Sequence, residues 1–208
     1  MRRLYPFLSM GNLLYAIVLL HLFFLPFMGT FLIRTVEMGL AQQIMLLLSQ
    51  LIPPLLFIPY VLHGISFYVA SPLTQLLAAG KSKYRIENTL LFILIYAILS
   101  GLSLMALVYL NLISDGILMR TSSILIMFLG VSYLMVSIQK NTTVAFVVCM
   151  TYVIFSLAFG DQRRPYPFYI TTLDTPLPMY VSAYLIYIMI GIVGLIIGEL
   201  YIRKKGLV

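Results

Sequence analysis

The sequence has very few charged side chains. Only 9% of its 208 residues are Asp, Glu, Lys or Arg, whereas 62% are hydrophobic, and the mean hydropathy is +1.06. Soluble domains carry roughly 25% charged residues, so this chain has too few to build a polar shell around a core in water. The composition therefore predicts an all-α integral membrane protein, a single transmembrane domain over residues 1–208 with no soluble domain beside it.

Residues that carry chemistry are scarce as well. The chain has one cysteine, Cys149, and two histidines, His21 and His63, which lie in separate apolar runs. One thiol cannot form an internal disulfide, and two distant histidines without acidic neighbours do not make a metal site. We therefore predict no catalytic residue, no metal and no cofactor.

Motifs for energy supply and hydrolysis are also missing from the sequence. It contains no G-x-x-x-x-G-K-[ST] loop, no G-x-S-x-G elbow and no H-E-x-x-H helix. No acidic residue falls in the middle of an apolar run, where an ion-coupled carrier generally needs an ionisable group. The chain is thus interpreted as neither an enzyme nor a self-powered transporter.

Six apolar runs separated by short polar links fill the sequence. Helices of such length cross a hydrocarbon core of about 30 Å. The predicted spans are residues 12–33, 44–70, 89–109, 117–138, 144–159 and 179–202.

The basic residues are distributed unequally between the two sets of links. If the N-terminus is cytoplasmic, the cytoplasmic segments hold Arg2, Arg3, Lys81, Lys83, Arg85, Lys140, Arg203, Lys204 and Lys205, and the opposite segments hold Arg34, Arg120, Arg163 and Arg164. Since basic residues concentrate on the cytoplasmic side, both termini are predicted there. The net charge of +7 then indicates contact with lipid headgroups rather than with nucleic acid.

The second apolar run contains three prolines, Pro53, Pro54 and Pro59. Each proline removes a backbone donor and crowds the preceding turn, which predicts a bent or broken second helix. Carbonyls freed in lipid are costly, so this region is expected to face protein or a wet cavity. Together with Gln50 and His63, the prolines form the predicted hinge or pathway.

The link at residues 71–87 has the pattern of a short amphipathic helix. It starts with Ser-Pro, which suits a helix N-terminus, its leucines fall on one face, and a glycine can end it before a basic cluster. We interpret it as a short amphipathic helix that lies at the cytoplasmic membrane surface and joins two spans, where a cytoplasmic partner could grip and tilt them; a solvated basic loop that only fixes orientation is the alternative. The predicted coupling residues are Leu73, Leu76, Leu77, Gly80, Lys81, Lys83 and Arg85.

The longest polar stretch covers residues 160–178 and contains four prolines, which exclude one continuous helix across it. Its aromatic residues suit the headgroup zone, so partial re-entry into the membrane is one interpretation. The outer-loop residues of interest are Arg163, Arg164, Pro165, Pro167 and Asp174.

Residues 50–91, QLIPPLLFIPYVLHGISFYVASPLTQLLAAGKSKYRIENTLL, resemble the membrane subunits of type-2 ABC exporters, the ABC-2 permease family. The shared features are a proline-interrupted second span, an amphipathic helix ending in a leu-leu-x-x-gly turn with basic residues, and a third span. Residues 160–178 stand where that family has an outer re-entrant segment.

The resemblance implies a permease subunit in a bacterial cytoplasmic membrane, paired with a second copy or paralogue and powered by a separate ABC ATPase subunit. The implied cargo is apolar or amphipathic: an antimicrobial peptide, a lipid or a drug. The implied docking positions on the ATPase are Leu76, Leu77, Gly80, Lys81 and Lys83.

Other interpretations remain open at this point. The chain is also similar in size and character to a six-span substrate-binding subunit of a vitamin-uptake complex, which would hold its ligand near Asp161, Arg163, Arg164 and Asp174. An integral-membrane enzyme is disfavoured by the missing acid–base set, and a structural or assembly protein is the remaining alternative.

Overall fold

A computed structural model of the chain describes residues 11–66, 82–114, 116–159 and 181–204. Within these ranges the regular structure is helical and contains no strand. The helices, numbered in chain order, are α1 Gly11–Thr35, α2 Met38–Ile65, α3 Ser82–Tyr109, α4 Gly116–Gln139, α5 Thr142–Phe159 and α6 Val181–Lys204.

The helices have the length and composition of membrane spans. Five of them, all except α3, are long and apolar enough to cross a membrane, and α3 adds a shorter apolar stretch, Ile93–Tyr109. Large apolar side chains such as Phe23 and Leu200, which are 62% and 59% exposed, lie on the outside of the bundle. Because such exposure is favourable only in lipid, the chain is a multi-pass all-α membrane protein, and that prediction is confirmed.

Two helices form the centre of the described bundle. α4 and α2 are the most buried of the long helices, whereas α1, α5 and α6 keep most of their surface outside. α4 packs against α2, α5 and α6, and its contact with α6 is the most extensive between any two described helices.

Glycines bring α4 and α6 into close contact. A Cβ added at Gly194 would lie 2.6 Å from the carbonyl oxygen of Gly130, and one at Gly191 would overlap the backbone of Ile126. A Cβ added at Gly198 would lie 2.8 Å from Cδ1 of the Tyr133 ring. The G-x-x-x-G pattern of the last span therefore packs within the chain, where small residues let backbones approach, and this surface is not free to pair with a second copy.

A polar contact closes the same interface. The hydroxyl of Tyr133 on α4 donates a hydrogen bond of 2.7 Å to Oε2 of Glu199 on α6. The carboxylate of Glu199, which lies on an apolar helix, thus has a hydrogen-bond partner within the chain.

The break predicted in the second helix is wrong at the level of the backbone. α2 runs without interruption from Met38 to Ile65 and carries Pro53, Pro54 and Pro59 inside it. It also starts six residues before the predicted residue 44; the predicted end at residue 70 lies outside the described residues. A proline removes only its own N–H, so the helix can continue if the region that loses these bonds is enclosed by other helices.

The expected burial of this region is confirmed. Ser49 and Gln50 are 0% and 2% exposed, and Pro53 and Pro54 are buried as well. Pro53 and Pro54 therefore lie in contact with protein rather than with lipid, whereas Pro59 is half-buried.

Candidate functional site

α1 departs from regular α-helical geometry at its middle. Residues 19–24 form a π-helical segment, in which the N–H of Leu25 bonds the carbonyl of Leu20 five residues earlier. Ile17, His21 and Leu25 are all 0% exposed. These residues are four apart, whereas an α-helical turn has 3.6 residues, so in a regular α-helix their side chains would drift around the helix axis. The wider π turn offsets this drift and keeps the three side chains directed toward the bundle interior.

His21 is consequently a fully buried imidazole within an apolar helix. Its Nδ1 lies 3.0 Å from the carbonyl oxygen of Ile17, one turn earlier in the same helix. A carbonyl oxygen only accepts, so Nδ1 carries the proton of this bond. In the neutral ring this leaves Nε2 as an acceptor directed away from its own helix.

The proline pair of α2 lies next to this histidine. On the N-terminal side of the proline pair, Ser49 Oγ and Gln50 Nε2 both donate to the carbonyl of Leu46, at 2.8 and 3.1 Å. Both side chains thus bond a carbonyl of the preceding turn of α2, just before the two prolines. The carbonyl oxygen of Pro53 is an acceptor near the middle of the helix.

Tyr96, near the middle of α3, joins the other two helices. Its hydroxyl donates to the carbonyl oxygen of Pro53, and the same oxygen is 3.3 Å from Nε2 of His21. The Tyr96 and His21 rings meet edge to face, with centroids 5.2 Å apart. Tyr96 is 0% exposed, so α1, α2 and α3 meet at a buried polar point.

Aromatic rings of α2 enclose this point. The ring centroids of Phe57 and Tyr60 lie 5.0 and 5.3 Å from that of Tyr96. We refer to His21, Pro53, Phe57, Tyr60 and Tyr96 as the central cluster.

The central cluster has two possible hydrogen-bond arrangements. Tyr96 has one hydroxyl proton and faces two acceptors, the Pro53 carbonyl and the Nε2 of a neutral His21. The proton bonds α3 to α2 in the first arrangement, which the shorter contact favours, and α3 to α1 in the second. A rotation of one O–H bond thus changes which pair of helices is held together.

A cavity of about 150 Å³ lies beside the central cluster, between α3 and α4. Its lining includes Tyr96, Ser100, Gly101, Thr121, Leu125 and Leu129. α3 packs less closely on α4 than α6 does, and this looser contact leaves the space.

The structure divides the predicted hinge residues into two groups. Gln50, Pro53 and Pro54 are buried, and Pro53 belongs to the central cluster. Pro59 and His63 line a separate crevice of about 350 Å³, shared with Thr142 and Thr143 at the start of α5.

The other predicted site residues fall mainly outside the described ranges. This applies to the coupling residues Leu73, Leu76, Leu77, Gly80 and Lys81, and to the outer-loop residues Arg163, Arg164, Pro165, Pro167 and Asp174. Lys83 and Arg85 belong to the first turns of α3, but their side chains are outside the described set.

Tyr96 was missed in the sequence, and His21 was recognised only as a buried imidazole. A signal for Tyr96 exists, since a phenol hydroxyl in the middle of an apolar run must find a partner within the protein. The partner itself has no local signal, because Pro53 and His21 are 43 and 75 residues away in the chain.

Within the described residues, no group of three His, Cys, Asp or Glu side chains is placed to hold a metal ion. No family model, curated protein or solved structure matches this chain.

Proposed function

We propose that this chain is the membrane-spanning permease subunit of a type-2 ABC exporter in a bacterial cytoplasmic membrane. A separate ATPase subunit docks on the link between α2 and α3, and a second permease copy or a paralogue completes the complex. Both termini lie in the cytoplasm, and the cargo is apolar or amphipathic.

The observation that carries the proposal is the hydrogen bond from Tyr96 to Pro53. It ties together the middles of α2 and α3, the two helices that the coupling segment joins. A displacement of that segment would be transmitted along both helices to the central cluster. Packed elements with two discrete arrangements convert small shifts into larger rearrangements, and the two positions of the Tyr96 proton supply such a pair of states.

The composition of the interior supports the cargo class. No charged residue belongs to the central cluster or to the lining of the cavity between α3 and α4. A charged cargo inside a membrane needs charged or strongly polar partners, whereas an apolar one does not. This lining therefore fits the hydrocarbon part of an apolar or amphipathic cargo rather than a charged group.

The proposal is tested by charging the predicted docking leucines. The doubly substituted Leu76→Glu, Leu77→Glu chain, solubilised in detergent, is expected to lose co-purification with a candidate ABC ATPase subunit that the unchanged chain retains, because apolar contacts on the ATPase would be replaced by buried carboxylates. Leu207→Glu, the same exchange in the predicted cytoplasmic C-terminal segment, is the matched control and should keep the ATPase.

Three outcomes would contradict the proposal. The double variant could bind the ATPase as well as the unchanged chain. The reconstituted chain could move cargo with no nucleotide consumed. A small ligand could co-purify and raise the melting temperature of the double variant and the unchanged chain equally, which would favour the vitamin-uptake alternative.

A further inference from the structure

The cavity between α3 and α4 opens sideways rather than toward either end of the helices. Two of its lining residues, Ala97 on α3 and Ser122 on α4, are exposed and form its rim. Next to this rim, α3 exposes Leu94, Ile98 and Leu102, each more than half exposed. Since this surface faces lipid, the mouth of the cavity faces the hydrocarbon of the bilayer.

The interior of the cavity offers no site for a headgroup. Its deeper wall includes Leu104, Leu125 and Leu129, which are 2%, 7% and 5% exposed. The Ser100 hydroxyl donates to the carbonyl of Ala97 within α3, and the Tyr96 hydroxyl donates to Pro53. These two hydroxyls are already bonded, and the wall carries no charge, so a charged headgroup entering here would lose its water without an ionic partner; the hydroxyls of Thr121 and Ser122 are the other polar side chains of the lining.

The size of the cavity limits its ligand to a single hydrocarbon chain. A helix with its side chains is about 10–12 Å across and cannot enter a space of 150 Å³. Apolar cavities of about this volume accept a small hydrocarbon such as benzene and exclude water. A short run of methylene groups from one hydrocarbon chain has the matching cross-section and chemistry.

Gly101 contributes to the open space. A Cβ built on Gly101 meets no atom within 4 Å, although the residue lies in the cavity wall. The missing side chain therefore leaves room that a Cβ would occupy without meeting a neighbour.

We propose that this cavity binds one acyl chain of a bilayer phospholipid, which enters between Ala97 and Ser122 and reaches toward Tyr96. The binding requires no ATPase and no cargo, so it stands or falls separately from the proposed transport function. The bound chain would act as a removable packing element between α3 and α4.

The proposal is tested with a photoreactive lipid. The full chain is reconstituted in phosphatidylcholine vesicles that contain phosphatidylcholine with a diazirine in the middle of one acyl chain, irradiated, and mapped by mass spectrometry. Label is expected on Thr121 and Leu125, which a chain reaches only by entering the cavity, as well as on the lipid-facing Leu102 and Leu200. Val136, buried on α4 away from the cavity, measures the background.

A graded pair of substitutions supplies the second measurement. Gly101→Ala and Gly101→Leu should reduce the label on Leu125 stepwise, with a severalfold loss for the leucine and no change at Leu200. Gly39→Leu is the matched control, since a Cβ at Gly39 also meets nothing within 4 Å and this residue does not line the cavity.

Three results would overturn the proposal. The first is label on Leu125 no higher than on Val136. The second is label on Leu125 that survives Gly101→Leu. The third is oxidative disulfide cross-linking of two copies that each carry Ala97→Cys or Ser122→Cys, with the lipid label absent, which would make the cleft an interface between copies.

Discussion

Gly191→Ala is expected to destabilise the protein strongly by pushing α6 away from α4. The added Cβ would overlap the backbone of Ile126, and a backbone cannot turn aside as a flexible side chain can. Overpacking a tight contact costs about 1–3 kcal/mol, and occasionally more. Because α4–α6 is the most extensive contact between described helices, the loss should affect the whole bundle.

The experiment compares thermal unfolding of purified Gly191→Ala and Gly101→Ala chains in the same detergent. Both exchange a helical glycine for alanine, but the Cβ at Gly101 meets open space. Alanine is favoured over glycine in a helix by about 1 kcal/mol, so Gly101→Ala should match or exceed the stability of the unchanged chain. Equal melting temperatures for the two variants would show that α4 and α6 do not pack as described.

Under the proposed permease function, Tyr96→Phe is expected to abolish most ATP-driven transport while leaving ATPase binding intact. The substitution keeps the ring in place against Phe57 and Tyr60 but removes the proton that bonds α3 to either α2 or α1. Because Nε2 of His21 is left buried without the hydroxyl, the loss costs about 1–3 kcal/mol of stability, which a native protein with about 5–15 kcal/mol tolerates, so the protein should fold. The effect on transport should be much larger, because both arrangements of the central cluster disappear.

His21→Leu separates the two arrangements of the central cluster. This variant retains the bond from Tyr96 to Pro53 and removes the second acceptor, so transport should fall while α2 and α3 remain tied. Tyr133→Phe is the control, since it also removes a hydroxyl hydrogen bond, but at the contact with Glu199 on α6. The measurement is cargo movement and ATPase stimulation in the reconstituted complex; transport by Tyr96→Phe and His21→Leu at the rate of Tyr133→Phe would refute a coupling role.

Some features of the fold could be read directly along the chain. The apolar runs around residues 117–138 and 144–159 lie within α4 Gly116–Gln139 and α5 Thr142–Phe159, because the ends of these runs are set by local polar residues. α2 was harder to delimit, since its first residues include Gln42 and Gln43, which resemble a link. The structure extends α2 over them, and Gln42 bonds the carbonyl of Asn111 in the turn after α3.

The candidate site could be predicted only in part. The prolines identified a special place on α2, but the inferred break was wrong, because whether a proline interrupts a helix depends on what encloses it. The G-x-x-x-G pattern indicated close packing without indicating its partner, which is α4 of the same chain.

The sequence by itself determined that this is a helical membrane protein. The deficit of charge and the length of the apolar runs can be counted along the chain without knowing which residues are in contact. Only the tertiary structure decided that His21, Pro53 and Tyr96 meet and that a cavity opens beside them. Such contacts depend on how each helix is rotated and how closely it packs. In helices that are apolar on nearly every face, the residue pattern leaves that rotation undetermined.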